Sequence, residues 1–531
     1  MTYSKPFSAQ RIDQLWTLGF TAAALLLLTV NLGLPLKDWD EGLVAQVARE
    51  IYQAPAGSFT WLFPTLWGEP YFNKPPLLHG LIAMLYGLAG VHEWTARLPS
   101  AGLTLASVPL LYRLSRELFH QRLPAIFATL VYLTSLPVIR NGRFAMLDGA
   151  ILCFLLLLFW ALLRSRRDYR WLLGVGGAFG LLCLTKGILV GLLLGGIALA
   201  FLAWDTPRLL RQPYLWLGLG LGLVPVAGWY GAQWLHYGTD FLGNNLVEQS
   251  LARVWTDVEE NGAPLWYYLL ELLKYGAPWV LWLPGALKLA WSHRNLSWAK
   301  LGLVWAAGYF GAISLMATKL PWYILPLFPA LALLLGAHLA ELWQQGRQVG
   351  IVTHPAKPYS RIWIGALGLL GLGGWAGAAY FMGWATPAEA NLWPILMVAG
   401  ATLMAAAGLA ARQNPQFIVV LGWGTFLAML LLMFSPHWAW ELAESYPVRP
   451  VAALVQQVSE AKLYTSYPYN RPSLNFYSQR QVMPASSKQL RRSWRKGEPL
   501  LIDRPTAVEL GVLPAQIIGE AETWLLVRAK I

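Results

Sequence analysis

The chain has 531 residues, of which 56% are hydrophobic and only 13% are charged. Soluble domains carry about a quarter of charged residues, so this composition excludes a single soluble globule. The charge is also uneven, because residues 436–531 contain 20 of the 67 Asp, Glu, Lys and Arg residues. We therefore expect a membrane domain over residues 1–435 and a soluble C-terminal domain over residues 436–531.

The formal net charge of +13 and the 29 tryptophans are typical of a protein whose basic loops meet anionic lipids and whose indoles lie at bilayer interfaces. Membrane lipids are expected partners. Nucleic acid is not, since no basic helix or RNA-binding motif accompanies the charge. Cys153 and Cys183 lie in apolar runs without CxxC spacing and predict buried thiols.

Apolar runs of sufficient length predict thirteen transmembrane helices. The first run ends without a small-residue cleavage site, so we interpret it as a retained helix and not as a signal peptide. The predicted spans are residues 17–36, 98–113, 123–139, 146–163, 171–185, 188–204, 213–235, 268–290, 300–317, 322–343, 361–383, 391–411 and 416–435.

A fourteenth apolar stretch, residues 76–91, is short, follows Pro75-Pro76 and contains His79. Counting it as a span would place the N-terminus opposite the other basic loops, against the positive-inside rule. We therefore expect a helix lying along the membrane surface. Thirteen spans place the N-terminus in the cytoplasm, and they place the first outer loop, residues 37–97, and the C-terminal domain outside it.

Two further patterns bear on the fold. Apolar runs at residues 462–464, 499–502 and 523–527 alternate with polar or helical segments and predict a small α/β domain at the C-terminus. The glycine-rich stretch at residues 174–177 indicates close helix packing rather than a phosphate loop. The fold class is thus an all-α polytopic membrane domain with a small α/β extracytoplasmic domain.

Carboxylates gather where the chain leaves the membrane on the outer face. Asp38, Asp40 and Glu41 follow the first span, and Asp148 begins the fourth. A carboxylate at that depth is costly unless it meets a cation or water. The same face carries cations that the positive-inside rule does not explain, which are Lys74, Arg140, Arg143, Lys186, Arg253 and Lys319.

Lys74, Lys186 and Lys319 at membrane depth predict a phosphate site, whereas Arg97 and Arg140 are expected to snorkel at the interface. A carboxylate that accepts a proton from a hydroxyl, beside cations that hold a departing phosphate, suits displacement at a phosphate-linked carbon. No GxGxxG or Walker sequence is present, so a lipid phosphate is a more plausible carrier than a nucleotide. A lipid transporter or flippase is the alternative, but charges confined to one end of the helices favour the enzyme.

The motifs at these positions resemble a known family. Similar sequences occur in the bacterial lipid A aminoarabinose transferases and in related polyprenyl-phosphate-sugar glycosyltransferases of the GT-C fold, which include protein O-mannosyltransferases. The resemblance covers about the first 340 residues and is carried by residues 39–41, 48–50, 68–77, 96–100, 143–149, 184–187, 266–268, 278–279 and 319–329.

The resemblance implies a bacterial inner-membrane enzyme that moves a sugar, with inversion, from an undecaprenyl-type phosphate to a lipid, glycan or protein acceptor on the periplasmic face. It implies that Asp40 is the catalytic base with Asp148 beside it, and that Lys74 and Arg253 contact the donor phosphate. Lys186 and Lys319 join this phosphate site by the charge argument above. The residues expected to line the pocket are Tyr71, Phe72, Glu41, Arg143 and Tyr323.

The sequence departs from the family at several positions. Leu43 and Val44 replace an arginine and a tyrosine, Asn73 replaces a glutamate, and residues 261–263 lack an expected histidine. Some of these are candidate metal ligands, so we predict no metal and no other cofactor. In the C-terminal domain a basic cluster is expected to contact anionic head groups, to hold an acidic acceptor, or to face solvent. It comprises Lys488, Arg491, Arg492, Arg495 and Lys496 around Trp494.

Overall fold

The computed structural model describes residues 9–38, 40–258, 261–348, 359–386, 389–440 and 447–529, without the side chains of Ala9, Asp40 and Gln348. Helices form the N-terminal domain. The first ten are α1 (Ala9–Thr29), α2 (Asp40–Gln53), α3 (Leu77–Ala89), α4 (Glu93–Leu118), α5 (Arg122–Leu133), α6 (Leu136–Arg143), α7 (Asp148–Arg164), α8 (Trp171–Lys186), α9 (Ile188–Asp205) and α10 (Pro213–Tyr237).

After α10 the chain forms shorter segments before long helices resume. A π-helical segment, Leu242–Ala252, links α11 (Thr239–Phe241) to α12 (Arg253–Trp255). The remaining helices of this domain are α13 (Tyr267–Tyr275), α14 (Leu283–Ser292), α15 (Ser297–Leu315), α16 (Phe328–Gln348), α17 (Arg361–Gly383), α18 (Trp393–Ala411) and α19 (Phe417–Phe434), with 3-10 turns at Pro207–Arg211, Trp279–Trp282, Pro321–Leu327, Ala390–Leu392 and Pro436–Ala439.

The helices have the composition of a multi-pass membrane protein. Within the described ranges, seven are long and apolar enough to cross a bilayer, or eight if the bent pair α5 and α6 is one span. Each predicted span overlaps a helix or a group of consecutive helices, but thirteen crossings remain a prediction. Helix α3 has 13 residues, about 20 Å at 1.5 Å per residue, which is too short for a hydrocarbon core of about 30 Å.

Helices α8 and α10 touch through their backbones. A Cβ on Gly176 would lie 1.9 Å from the carbonyl carbon of Gly218, and one on Gly180 would lie 2.1 Å from the oxygen of Gly222. Both helices therefore carry small residues four apart on the shared face, which permits close approach of two membrane helices. The close packing predicted for the glycine-rich stretch is confirmed at Gly176.

Two helix breaks lie near the charged residues. The axis bends by 54° between α5 and α6, where Pro137, two residues after Ser135, has no backbone N–H to continue the hydrogen-bond ladder. Between α8 and α9, Gly187 has φ +101°, a backbone conformation that L side chains rarely adopt. The freed amide of Ile188 donates to the Tyr230 hydroxyl at 3.2 Å. Lys186 is therefore the last residue of a helix that ends sharply.

Strands β1 (Thr65–Leu66) and β2 (Glu69–Pro70) form a hairpin in the first outer loop. The C-terminal domain contains a five-stranded mixed sheet made of β3 (Lys462–Thr465), β4 (Gln481–Pro484), β5 (Leu500–Asp503), β6 (Ile517–Ala521) and β7 (Trp524–Val527). The strand order is β4-β3-β5-β7-β6. Strands β3 and β5 are parallel neighbours, and β7 pairs antiparallel with β5 and β6.

Side chains alternate across this sheet and fill a core on each face. Leu501 and Leu526 pack beneath α20 (Val448–Val455) and α21 (Pro472–Ser478), whereas Leu500 and Ile502 face the opposite core. Helices α22 (Ser487–Arg495) and α23 (Arg504–Leu510) contribute Leu490 and Ala507 to that second core. The predicted small α/β domain is confirmed, and so is the burial of both free cysteines.

Candidate active site at one end of the helices

Asp148 and Lys186 form an ion pair at one end of the helical domain. Helix α7 begins at Asp148 and α8 ends at Lys186, and because the two helices are antiparallel neighbours these termini meet. The Asp148 Oδ1 and Lys186 Nζ atoms are 2.6 Å apart. The cation partner expected for a carboxylate at this depth is therefore present. Because Asp148 balances the charge of Lys186, an anion bound beside this pair would need further cations.

Tyr323 lies between Lys186 and a second cation, Arg253. The Lys186 ammonium is 5.3 Å from the centroid of the Tyr323 ring, a distance at which a ring face attracts a cation. Arg253 directs Nη1 to the Tyr323 hydroxyl at 3.4 Å and donates from Nη2 to Gln249 Oε1 at 3.1 Å. The Tyr309 hydroxyl donates to the Tyr323 carbonyl oxygen at 2.7 Å. The structure thus brings together Asp148, Lys186, Tyr323 and Arg253.

Arg253 and Lys319 belong to two segments joined by backbone hydrogen bonds. The amide of Thr318 donates to the carbonyl of Arg253 at 3.1 Å, and that of Lys319 donates to Asn261 at 2.8 Å. The Lys319 ammonium donates to the carbonyls of Ser314, at 2.9 Å, and Met316, which lie at the end of α15. Burial lowers the pKa of Lys319. This lysine therefore neutralises the negative end of a helix and is less available to a ligand than Arg253 is.

The loop containing Lys74 lies against the segment that leads to Arg253. Phe72 packs edge-on against Tyr237 and Phe241 at centroid distances of 5.0 and 5.8 Å. The Asn245 amide donates to the Phe72 carbonyl. Lys74, two residues further, is partly buried.

Tyr71 is buried, with its ring edge-on to that of His79 at 5.5 Å. A pocket-lining role for Tyr71 stays a prediction, and its neighbours Phe72 and Lys74 retain partly exposed surface.

Glu41 links the first turn of α2 to the residues that precede α7. Its carboxylate accepts from the backbone amide of Ala145 at 2.7 Å and from that of Lys37 at 2.9 Å. Asp40 is the first residue of α2, and its side chain lies outside the described residues. The Glu41–Ala145 contact therefore brings the backbone at Asp40 close to the segment that leads into Asp148.

The structure corrects two predictions about arginines. Arg97 does not snorkel, because it is fully buried and its guanidinium forms a bidentate pair with Glu41. Arg140 donates to the carbonyls of Trp438, at 2.9 Å, and Trp440, so it anchors the chain before the C-terminal domain instead of reaching for head groups. Both guanidinium groups donate to protein acceptors.

Two of the residues expected to line the pocket offer a ligand almost no surface. Glu41 is 1% exposed, and Arg143 has no exposed surface. Arg143 donates to the carbonyls of Leu27 and Val30, at the end of α1. We therefore assign both side chains to the support of the site.

A metal site needs several ligands in one place. Among the residues whose side chains are described, no three His, Cys, Asp or Glu residues are close enough to hold an ion. The carboxylates of Asp40, Glu259 and Glu260 lie outside the described side chains. The prediction of a metal-independent reaction is therefore open to experiment.

Sequence reasoning missed several polar groups of this region. Gln249 bonds Arg253, Asn245 bonds the Lys74 loop, and Tyr309 bonds the backbone of Tyr323. Gln249 and Asn245 share the Leu242–Ala252 segment, and their spacing of four residues, next to Arg253, is a signal for one helical face. Tyr309 lies within an apolar helix and carries no such signal.

Comparison with solved structures identifies the fold. The chain superimposes on apo ArnT from Cupriavidus metallidurans with a TM-score of 0.76 at 20% identity, covering 97% of this chain and 98% of that one. The form described as bound to undecaprenyl phosphate gives 0.75, with 98% of each chain covered. The archaeal oligosaccharyltransferase AglB of Archaeoglobus fulgidus gives 0.54 at 11% identity, covering 93% of this chain and 69% of that one. The chain therefore has the GT-C fold of these membrane glycosyltransferases.

Sequence comparison points to the same group of proteins. The undecaprenyl phosphate-alpha-4-amino-4-deoxy-L-arabinose arabinosyl transferase 1 of Pseudomonas fluorescens strain Pf-5 is 30% identical over 315 residues, or 58% of this chain and 56% of that protein. The corresponding transferase of Erwinia tasmaniensis is 31% identical over 311 residues, or 56% and 54%. The match thus spans little more than half the length of these relatives. The family model for dolichyl-phosphate-mannose-protein mannosyltransferases matches residues 73–230. The resemblance inferred from the motifs is confirmed.

Proposed function

We propose that this protein is a membrane glycosyltransferase that moves a sugar from a polyprenyl phosphate to an acceptor hydroxyl or amine at the end of the helices where Asp148 meets Lys186. The observation that carries the proposal is the Glu41–Ala145 hydrogen bond, because it joins the Asp40 helix to the segment before Asp148. A candidate base and the cation cluster thereby share one end of the fold.

The proposed reaction is an inverting displacement. The acceptor oxygen or nitrogen attacks the anomeric carbon, the bond from that carbon to the phosphate oxygen breaks, and the bonding electrons leave with the polyprenyl phosphate. Asp40 takes the acceptor proton. Arg253 and Lys74 balance the charge of the departing phosphate, while Asp148 fixes the Lys186 ammonium at 2.6 Å. Tyr323 and Phe72 line the cavity around the donor.

The proposed topology has thirteen crossings, a cytoplasmic N-terminus and a periplasmic site in a bacterial inner membrane. Basic residues at the opposite end of the helices support it. Arg164, the last residue of α7, and Arg166, in the following loop, pair with Glu117 and Asp205 at 3.1 and 2.5 Å. Arg116 and Arg122 similarly contact Asp13 near the start of α1. Cationic loops at this end fit a cytoplasmic surface.

The transfer is tested with purified protein and undecaprenyl phosphate-4-amino-4-deoxy-L-arabinose, the donor named for the relatives, beside an undecaprenyl phosphate hexose. Release of undecaprenyl phosphate with sugar recovered in an acceptor lipid, glycan or protein fraction is the expected result. The variant Asp40→Asn should lower turnover by about two to four powers of ten, the scale of a general base. Undecaprenyl phosphate affinity should be retained, and Asp168→Asn at the opposite end serves as the matched control.

A flippase predicts a different outcome. Proteoliposomes would equilibrate a fluorescent polyprenyl phosphate between leaflets without breaking the sugar–phosphate bond, and Asp40→Asn would leave that movement unchanged. Lipid movement without sugar transfer, for every donor and acceptor offered, would reject the transferase.

A further inference from the structure

The C-terminal domain contacts the segment that precedes α2. Asp38 is buried, and its Oδ2 atom accepts from Arg471 Nε at 2.5 Å. Its Oδ1 atom accepts from the backbone amide of Ser473 at 3.3 Å and from the Ser473 hydroxyl. Both partners belong to the soluble domain, yet Asp38 lies only two residues before Asp40.

On the other side of Asp40 the contact is made by backbone alone. A Cβ on Gly42 would lie 2.5 Å from the Ser473 nitrogen and 2.6 Å from the Pro472 carbonyl carbon. No side chain fits at that position unless α2 and α21 separate. Gly42, two residues after Asp40, therefore packs against Pro472 and Ser473, and Ser473 also binds Asp38.

A third contact fixes the direction of α2. Arg49 donates from Nη1 to the Phe476 carbonyl at 2.8 Å, and its guanidinium lies 3.6 Å from the centroid of the Phe476 ring. Arg49 lies on the same face of α2 as Gly42, two turns further along the helix. With contacts before the helix, in its first turn and in its third, α2 can neither slide nor rotate independently of α21.

We infer that Arg471 and Ser473 are positioning residues for the transfer reaction, and that the C-terminal domain sets where Asp40 is held. The inference rests on the proposed function, since it takes Asp40 as the base. A base must lie within hydrogen-bond reach of the acceptor proton, and a misplacement of about 1 Å can lower a rate by about 100-fold. The first turn of α2 is tied on one side by Glu41 to Ala145 and on the other by Asp38 and Gly42 to α21.

If these contacts only stabilised the fold, removing any one contact between the two domains would lower kcat to a similar extent. Arg449 provides the comparison, because it pairs with Glu93 at the start of α4, in the same interface but away from α2. The Tyr477 hydroxyl also donates to Glu93, at 2.9 Å, so this corner keeps one contact when Arg449 is removed. Arg449→Ala is therefore the matched control for Arg471→Ala.

The experiment uses the full-length protein and compares Arg471→Ala, Gly42→Ala and Arg449→Ala. Arg471→Ala and Gly42→Ala are expected to lower kcat by about 10- to 100-fold, to keep undecaprenyl phosphate affinity within about twofold, and to speed amide hydrogen exchange of the peptide covering residues 36–48. Arg449→Ala is expected to leave kcat and that exchange within about twofold of the wild-type values. Arg471→Lys, which keeps the charge near Asp38, should recover part of kcat.

Gly42→Ala separates docking from helix stability. Alanine favours an α-helix over glycine, so α2 itself becomes more stable, and a fall in kcat must come from the displaced contact with Ser473. Equal losses of kcat in Arg471→Ala and Arg449→Ala, or unchanged exchange at residues 36–48 in Arg471→Ala, would overturn the inference. Absence of sugar transfer by the wild-type protein would instead reject the proposed function. The two failures can be told apart, because hydrogen exchange at residues 36–48 is measured without any need for activity.

Discussion

Glu41 and Arg97 form a bidentate ion pair in the interior, with Nε and Nη2 of Arg97 at 2.8 and 2.7 Å from the two carboxylate oxygens. Arg97 also donates to the carbonyls of Leu32, Leu34 and Pro35. One guanidinium therefore joins α4 to the segment that follows α1 and to α2. The pair is internal support for the site, since neither side chain is open to a ligand.

Glu41→Gln should be strongly destabilising, because Arg97 would keep its charge without the carboxylate that balances it. Breaking a buried pair from one side costs about 3–5 kcal/mol, to be measured as the free energy of unfolding in mild detergent. Glu117→Gln is the control, because its partners Arg164 and Arg167 are 36% and 69% exposed, and surface pairs contribute about 1 kcal/mol or less. Equal losses would show that Arg97 finds other compensation.

The Asp148–Lys186 pair predicts an asymmetric response. Lys186→Met leaves a carboxylate that is 4% exposed without this ammonium, whereas Asp148→Asn leaves an ammonium that is 13% exposed. Because the more buried charge is costlier to leave uncompensated, Lys186→Met should lower the melting temperature more than Asp148→Asn. The double variant should be less destabilised than the sum of the two. Additive losses would mean that the two groups do not interact.

Donor phosphate binding should depend on Arg253 and Lys74. Alanine at either position is expected to weaken undecaprenyl phosphate binding by about 1.5–3 kcal/mol, the contribution of a charge-assisted hydrogen bond. Tyr323→Phe keeps the ring beside Lys186 and should change affinity less than Arg253→Ala does. Lys274→Ala, an exposed cation on α13, is the control. Unchanged affinity in both alanine variants would return these cations to an interfacial role.

Turnover is expected to persist in a chelator. By resemblance to the transferases, the positions of Asn73 and residues 261–263 lack the carboxylate and histidine that could bind a divalent ion. Activity should therefore be equal before and after treatment with EDTA. A loss that Mg²⁺, Mn²⁺ or Zn²⁺ restores would contradict this, and Asp40 with Asp148 would become the candidate ligands.

The orientation of the C-terminal domain can be read from one added thiol. Ser487→Cys places a cysteine at the start of the basic helix α22, while Cys153 and Cys183 are buried and contribute little background. A membrane-impermeant thiol reagent should label this cysteine in intact spheroplasts, whose exposed surface is the periplasmic side of the inner membrane. Labelling that requires lysis would contradict the topology.

The sequence allowed prediction of what a single position requires. A carboxylate at the start of an apolar helix needs a cation or water, and the structure supplies Lys186, 38 residues later. The snorkelling expected for Arg97 was wrong because its partner Glu41 lies 56 residues earlier, and no local pattern connects the two. The pairing of Asp38 with Arg471 is beyond pattern analysis for the same reason.

The C-terminal sheet illustrates another limit. Strands β3, β5 and β7 occupy its centre and were visible as apolar runs. Strands β4 and β6 form its edges, where one side of the strand faces water and polar residues such as Gln481 and Glu520 interrupt the pattern. Edge strands are less hydrophobic because they are less buried, so their sequences resemble loops.

The hydrogen bonds of Asp38 also have a consequence for biosynthesis. Arg471 follows Asp38 by 433 residues, so a ribosome must translate the whole membrane domain before Asp38 acquires its final hydrogen-bond partners. Because Arg471 binds Asp38 directly, both residues must lie on the same side of the membrane when the contact forms. During assembly, a polypeptide whose helices are all inserted but whose α21 has not yet folded would still lack the contacts that α21 makes with Asp38 and Gly42. The order of synthesis thus makes the docking of α21 onto α2 one of the final steps of maturation.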